Sequence, residues 1–65
     1  MEQGMRVGRY VLVRDAIGLR HAMRPGSVVI LSDADELEDE TILQLPGGRC
    51  PRILASMDEV MAWLD

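Results

Sequence analysis

Lysine and phenylalanine are absent from these 65 residues, and cysteine, histidine, tryptophan and tyrosine occur once each. Each shortage excludes something. One cysteine, Cys50, cannot close an internal disulfide. Cys50 and the single histidine, His21, cannot supply the His/Cys set that holds structural zinc. One Trp and one Tyr are too few for a platform on which bases stack. No apolar run reaches bilayer length, so no membrane partner is expected. The start, Met1-Glu2-Gln3-Gly4-Met5-Arg6, lacks the basic end and apolar stretch of a signal peptide. With a lone thiol, that pattern points to a cytoplasmic location.

The length fits a single small domain over 1–65, with 1–6 expected as a loose tail. A chain this short buries a small share of its surface, and ordering it costs on the order of 1.5 kcal/mol per residue. Without a disulfide or metal, a second subunit is the remaining means of support, so a homo-oligomer, a dimer or larger, is expected.

All seven basic residues are arginine, against eleven acids, for a formal net charge of −4. The acids are clustered. Six lie in the segment Asp33-Ala34-Asp35-Glu36-Leu37-Glu38-Asp39-Glu40; the remainder of the chain sets seven arginines against five acids, a formal +2.

Several short strands are legible. Arg9–Asp15 is β-branched and aromatic, with charge at both ends. Ala16-Ile17-Gly18 supplies a turn, with Gly18 the natural site for positive φ. Leu19, His21 and Met23 alternate with Arg20 and Ala22, the period of a second strand. A short helix over Ala16–Met23 competes, and Gly18 argues against it. After Arg24-Pro25-Gly26, the run Val28-Val29-Ile30-Leu31 within Ser27–Leu31 predicts a strand buried on both faces. It either continues strand two or stands alone. Thr41–Leu45 and Arg49–Leu54, joined by Pro46-Gly47-Gly48, predict a hairpin, with Pro51 marking an edge.

The last segment is a helix. Ser56-Met57-Asp58-Glu59 fits the S-x-x-E capping box. Met57, Val60, Met61 and Leu64 form one apolar stripe, and Trp63 lies on its flank. The fold class is therefore α+β: a small antiparallel sheet of four strands, five if Ser27–Leu31 is separate. It is arranged as two hairpins with one C-terminal helix packed on one face. One short helix covers one side of such a sheet. Tyr10–Val13 and Val28–Leu31 carry apolar residues for both sides, so a second copy of the chain is the expected cover.

This order of elements resembles the small bacterial flagellar proteins of FlbD/SwrD type. The resemblance rests on Gly18 after the first strand, Thr41-Ile42-Leu43-Gln44-Leu45 with Gly47-Gly48, and Ser56-Met57-Asp58-Glu59-Val60. It covers about Tyr10 to Leu64. It implies the fold more than any flagellar role, and it carries over no catalytic residue. Two features depart from it: the acidic insertion and the lack of a Lys-rich helix tail.

The candidate chemistry is sparse. Asp33, Asp35 and Glu36 begin like a calcium loop, but no glycine follows at the required place, and Leu37 interrupts. A solvated loop is expected, and Leu37, which solubility alone does not need, is expected to anchor any further role on the sheet or on a neighbouring subunit, with the carboxylates presented around it. The arginines invite a nucleic-acid reading on an Arg-lined sheet face, opposed by the acidic net charge and the lack of a recognition helix. Cys50 and His21 are a conceivable pair across the sheet, without a third group to orient them. No catalytic residue, cofactor or metal is expected. The expected function is a non-enzymatic, homo-oligomeric accessory or regulatory module for an unknown protein partner. Its expected surface comprises Val28, Ile30, Leu37, Trp63, Asp35 and Glu36. A nucleic-acid-binding regulator is the alternative.

Overall fold

A computed structural model describes residues 3–65. The chain is α+β, with two three-stranded antiparallel sheets and one C-terminal helix. The first sheet is a meander of β1 (Met5–Val7), β2 (Tyr10–Arg14) and β3 (Arg20–Met23). A 3-10 turn over Pro25–Ser27 leads to the second, β4 (Ile30–Asp33), β5 (Thr41–Gln44) and β6 (Arg52–Ile53). Helix α1 spans Met57–Leu64.

This corrects the expectation of one sheet built from two hairpins. Strand β1 includes Met5 and Arg6, which were expected in a loose tail; Met1 and Glu2 lie outside the described residues. Gly8-Arg9 is a two-residue connection between Val7 and Tyr10, with Gly8 at φ +59°. Glycine at the first central position is the chemistry of a tight hairpin. Residues 20–23 form a strand, which excludes the competing helix. Gly18 takes φ +90°, and its N–H donates to the Asp15 carbonyl at 3.0 Å.

Strand β4 begins at Ile30 rather than Ser27. The backbone and hydroxyl of Ser27 donate to the Arg24 carbonyl at 2.9 and 2.8 Å, holding 24–27 in a turn. Val28 and Leu31 pack against the core, while Val29 and Ile30 are exposed, so this run is not buried on both faces within the chain. Leu45 N–H donates to the Arg49 carbonyl across Pro46-Gly47-Gly48, as a hairpin requires. Pro51 has no N–H to donate, and the return strand is shortened to Arg52–Ile53.

The sheets meet where β2 ends. Asp15 bridges Ile53, and Ala16 N–H donates to the Arg52 carbonyl at 2.8 Å. Between the sheets lies one core of Val11, Val13, Met23, Leu43, Ile53, Ala55 and Val60. Period-two alternation accounts for most of it: Val11 and Val13 on β2 and Leu43 on β5 point inward. Thr41 shares the inner face of β5 and is wholly buried, its hydroxyl donating to the Ala55 carbonyl at 2.8 Å.

Helix α1 starts on the expected capping box. Ser56 Oγ accepts from Glu59 N–H at 3.2 Å, and Ser56 N–H donates to Glu59 Oε1 at 3.2 Å. Its buried side is rotated from the expected stripe. Val60 is buried, with Trp63 and Leu64 packed against the core, while Met61 is 45% exposed. The cause is β1. A Cβ added at Gly4 would fall inside the Trp63 indole, so the backbone before β1 lies flat on that ring. Arg6 then donates to the carbonyls of Trp63 and Asp65, both at 3.0 Å. The last turn of the helix has no basic residue of its own, and Arg6 supplies the positive charge its dipole favours.

Replacing Gly4 by alanine combines a steric clash with φ +75°. We expect a loss of about 2–4 kcal/mol in urea unfolding, from left-handed strain and overpacking together. Unchanged stability would contradict the Gly4–Trp63 contact.

Candidate functional site

Three features outside the core carry polar or exposed groups. The first is a cleft of about 350 Å³ at the sheet junction, lined by Asp15, Ala16, Ile17, His21, Arg49, Cys50, Pro51 and Arg52. Asp15 continues the inward face of Val11 and Val13. His21 is paired with Val13 across the ladder, which makes it the diagonal neighbour of Asp15. Asp15 is buried, and His21 Nε2 lies 2.7 Å from its Oδ2. The other oxygen, Oδ1, accepts from Ile17 N–H at 3.0 Å and Leu19 N–H at 2.9 Å.

The His21 hydrogen bond holds the Asp15 carboxyl below its ordinary value; the two backbone hydrogen bonds act in the same direction, and burial opposes them. An ionised carboxylate only accepts, so Nε2 carries the shared proton. This gives His21 the orienting group that the sequence did not suggest. The signal was present: an aspartate two residues beyond Val13 remains on the inward face. Cys50 is exposed, and its thiol lies 3.8 Å from the Gly48 carbonyl of its own turn. Asp15, His21 and Cys50 thus line one cleft, but Asp15 Oδ1 is engaged in closing the 15–19 turn and Oδ2 is held by His21. Among the described residues, no three His, Cys, Asp or Glu side chains stand close enough to hold a metal ion.

The second feature is the acidic segment. It is the β4–β5 hairpin loop, not a break between hairpins, since Asp33 pairs with Thr41. Ala34 N–H donates to the Glu40 carbonyl at 3.0 Å, closing its base. Arg52 on β6 bonds Glu40 and lies 3.7 Å from Asp35. Glu40, with Asp35 and Asp39 nearby, raises the Arg52 pKa above its ordinary value. Asp35 Oδ1 accepts from Leu37 N–H at 2.9 Å, and Glu38 occupies left-handed backbone at φ +61°. The loop is therefore anchored at its base, while Leu37 at its tip is 76% exposed.

The third feature is uncovered apolar surface. On the outer face of the first sheet, Met5, Leu12 and Ala22 form one row, and Val7 and Tyr10 the next. Met5, Val7 and Tyr10 are exposed. Arg14 and Arg20 stand opposite one another on that face, and Arg14 donates to the Gly18 carbonyl at 2.6 Å.

The residues expected to form one interaction surface are dispersed. Val28 and Trp63 are half-buried against the core, Ile30 is exposed on β4, and Asp35, Glu36 and Leu37 belong to the acidic loop. Among the arginines, Arg6 holds the helix end, Arg14 a turn, and Arg52 the acidic loop.

No protein-family model, curated protein or solved structure matches this chain. No helix among the described residues is long and apolar enough to cross a membrane.

The depressed Asp15 pKa fixes a sign. Its contribution to stability is present above the unfolded value, ~3.9, and is lost as pH falls through the lower folded value. Urea midpoints measured from about pH 6 down to about pH 2 should fall less steeply in Asp15→Asn than in the wild type. Parallel curves would show that Asp15 does not contribute to acid unfolding.

Proposed function

We propose that the chain is a non-enzymatic, homo-oligomeric interaction module of the cytoplasm, with an accessory or regulatory role. The observation that carries this reading is the outer face of the first sheet. A three-stranded sheet whose second face is apolar and uncovered is short of a partner. The small core adds to the need, because the seven side chains that form it come from a chain of only 65 residues.

A second copy suits this face by charge as well as by apolarity. Arg14 opposite Arg20 is a like-charge pair that an acidic neighbour relieves. The hairpin tip Glu36-Leu37-Glu38 carries an exposed apolar side chain between two carboxylates, and neither glutamate has an ion-pair partner among the described residues. Leu37 of one copy seats on the Leu12–Tyr10 region of the other, with Glu36 and Glu38 toward Arg14 and Arg20. In a two-fold dimer each copy gives one such contact and receives one.

The nucleic-acid alternative draws on fewer arginines than the composition suggests, since Arg6 and Arg52 already have partners within the chain.

Sedimentation velocity at micromolar concentration tests the proposal. We expect an oligomer for the wild type, with both Leu37→Ser and Tyr10→Lys shifted toward monomer at unchanged circular dichroism. A wild type that sediments as a folded monomer refutes it.

A further inference from the structure

A groove of about 510 Å³ runs between helix α1 and strand β4, on a different part of the surface from the sheet face described above. Leu31, Met61, Ala62 and Leu64 give it an apolar floor, and Asp58 and Asp65 are its only charged lining residues. Asp58 and Asp65 are seven positions apart, ~10 Å along a helix axis at 1.5 Å per residue. They therefore stand near the two ends of the groove with the apolar side chains between them. Asp33 adds a third carboxylate on this side. It lies two residues beyond Leu31 on β4, hence on the same face, and it is exposed.

No arginine lines the groove. Arg6, the nearest cation along the helix end, donates to the backbone carbonyls of Trp63 and Asp65. Met61 is the exposed apolar side chain of the helix here. Methionine is unbranched and adapts to the shape placed against it, a property used at peptide-binding grooves.

We infer that this groove binds a basic amphipathic helical segment of another protein. The segment carries Arg or Lys at positions i and i+7, matching Asp58 and Asp65. Apolar side chains at i+3 and i+4 reach the floor formed by Leu31, Met61 and Leu64. A second copy of this chain is a poor occupant, because its own helix carries acids, Asp58 and Glu59, and no basic residue in the last turn. The inference rests on the reading of the chain as an interaction module and names the chemistry of the partner.

The test uses the intact wild-type chain and a fluorescein-labelled peptide designed with Leu at i+3 and i+4 and Arg at i and i+7. A control peptide carries Glu in place of each Arg. Anisotropy titration should show saturable binding of the Arg peptide in the micromolar range, weakening as salt is raised. The Glu peptide should bind at least about tenfold more weakly, since like charges face each other across the groove. Met61→Lys should reduce Arg-peptide binding by a similar factor, and circular dichroism should show the variant folded, because Met61 is outside the core. Equal binding of the two peptides, or binding unaffected by Met61→Lys, overturns the inference. So does the absence of an anisotropy change at about 100 µM protein, where a micromolar site would be saturated. If Met61→Lys instead converts an oligomer to monomer and the Arg peptide does not bind, the groove belongs to the self-contact. A monomeric wild type that binds the Arg peptide refutes the self-association reading alone.

Discussion

The end of β2 is the point on which the two sheets depend. At Asp15 the backbone leaves the first sheet and bridges Ile53 of the second, while the side chain closes the 15–19 turn and holds His21. Few other backbone hydrogen bonds cross between the sheets. Without this corner, Val11 and Val13 would have no fixed register against Ile53 and Leu43, and a core this small tolerates little slippage. One buried carboxylate thus joins a strand end, a turn, an edge strand and an imidazole. Both of its oxygens are hydrogen-bonded to neighbours in the fold, which is why this corner reads as architecture before chemistry.

Local features were legible wherever local chemistry determines them. Gly18 adopts the positive φ that its place between two strands required, and Ser56 and Glu59 form the reciprocal cap that their spacing encodes. The inward positions of β2 and β5 follow from alternation. Alternation says which side of a strand is buried, but not which strand lies beside it, so the division into two sheets was not readable. Strand β1 was passed over because Met5–Val7 is too short to show a period, although the Gly8-Arg9 pair that follows it carried a hairpin signal. The anchoring of the acidic loop by Arg52 joins residues twelve positions apart and leaves no local trace. The expected interaction residues fared unevenly for the same reason. Leu37 does not anchor the loop on its own sheet but stands exposed at the tip, because Arg52 holds the loop only at its base, and Trp63 is half-buried with Gly4 against its indole.

Charge is distributed by the fold rather than along the sequence alone. Of the seven arginines, Arg6 is committed to the helix end and Arg14 to a turn, and Arg52 reaches the loop base. The molecule is consequently polarised, with carboxylates gathered on the β4 side and an arginine pair on the first sheet. Exposed ion pairs add little to stability in water. Their use here is positional: Arg52 holds the base of the loop and leaves the tip free.

The contact of Arg6 with the carbonyls of Trp63 and Asp65 joins residues 57 and 59 positions apart. It has a consequence for biosynthesis. Strand β1 leaves the ribosome well before α1, which carries the groups that Gly4 and Arg6 rest on. The first meander can pair as soon as it is made, but the core is not closed over Val60 until α1 has emerged. Loop-closure entropy for that contact is large, because it joins residues 57 and 59 positions apart, and contacts of high sequence separation slow folding. The nascent protein therefore remains open, with the inner faces of its sheets exposed, until the final helix docks.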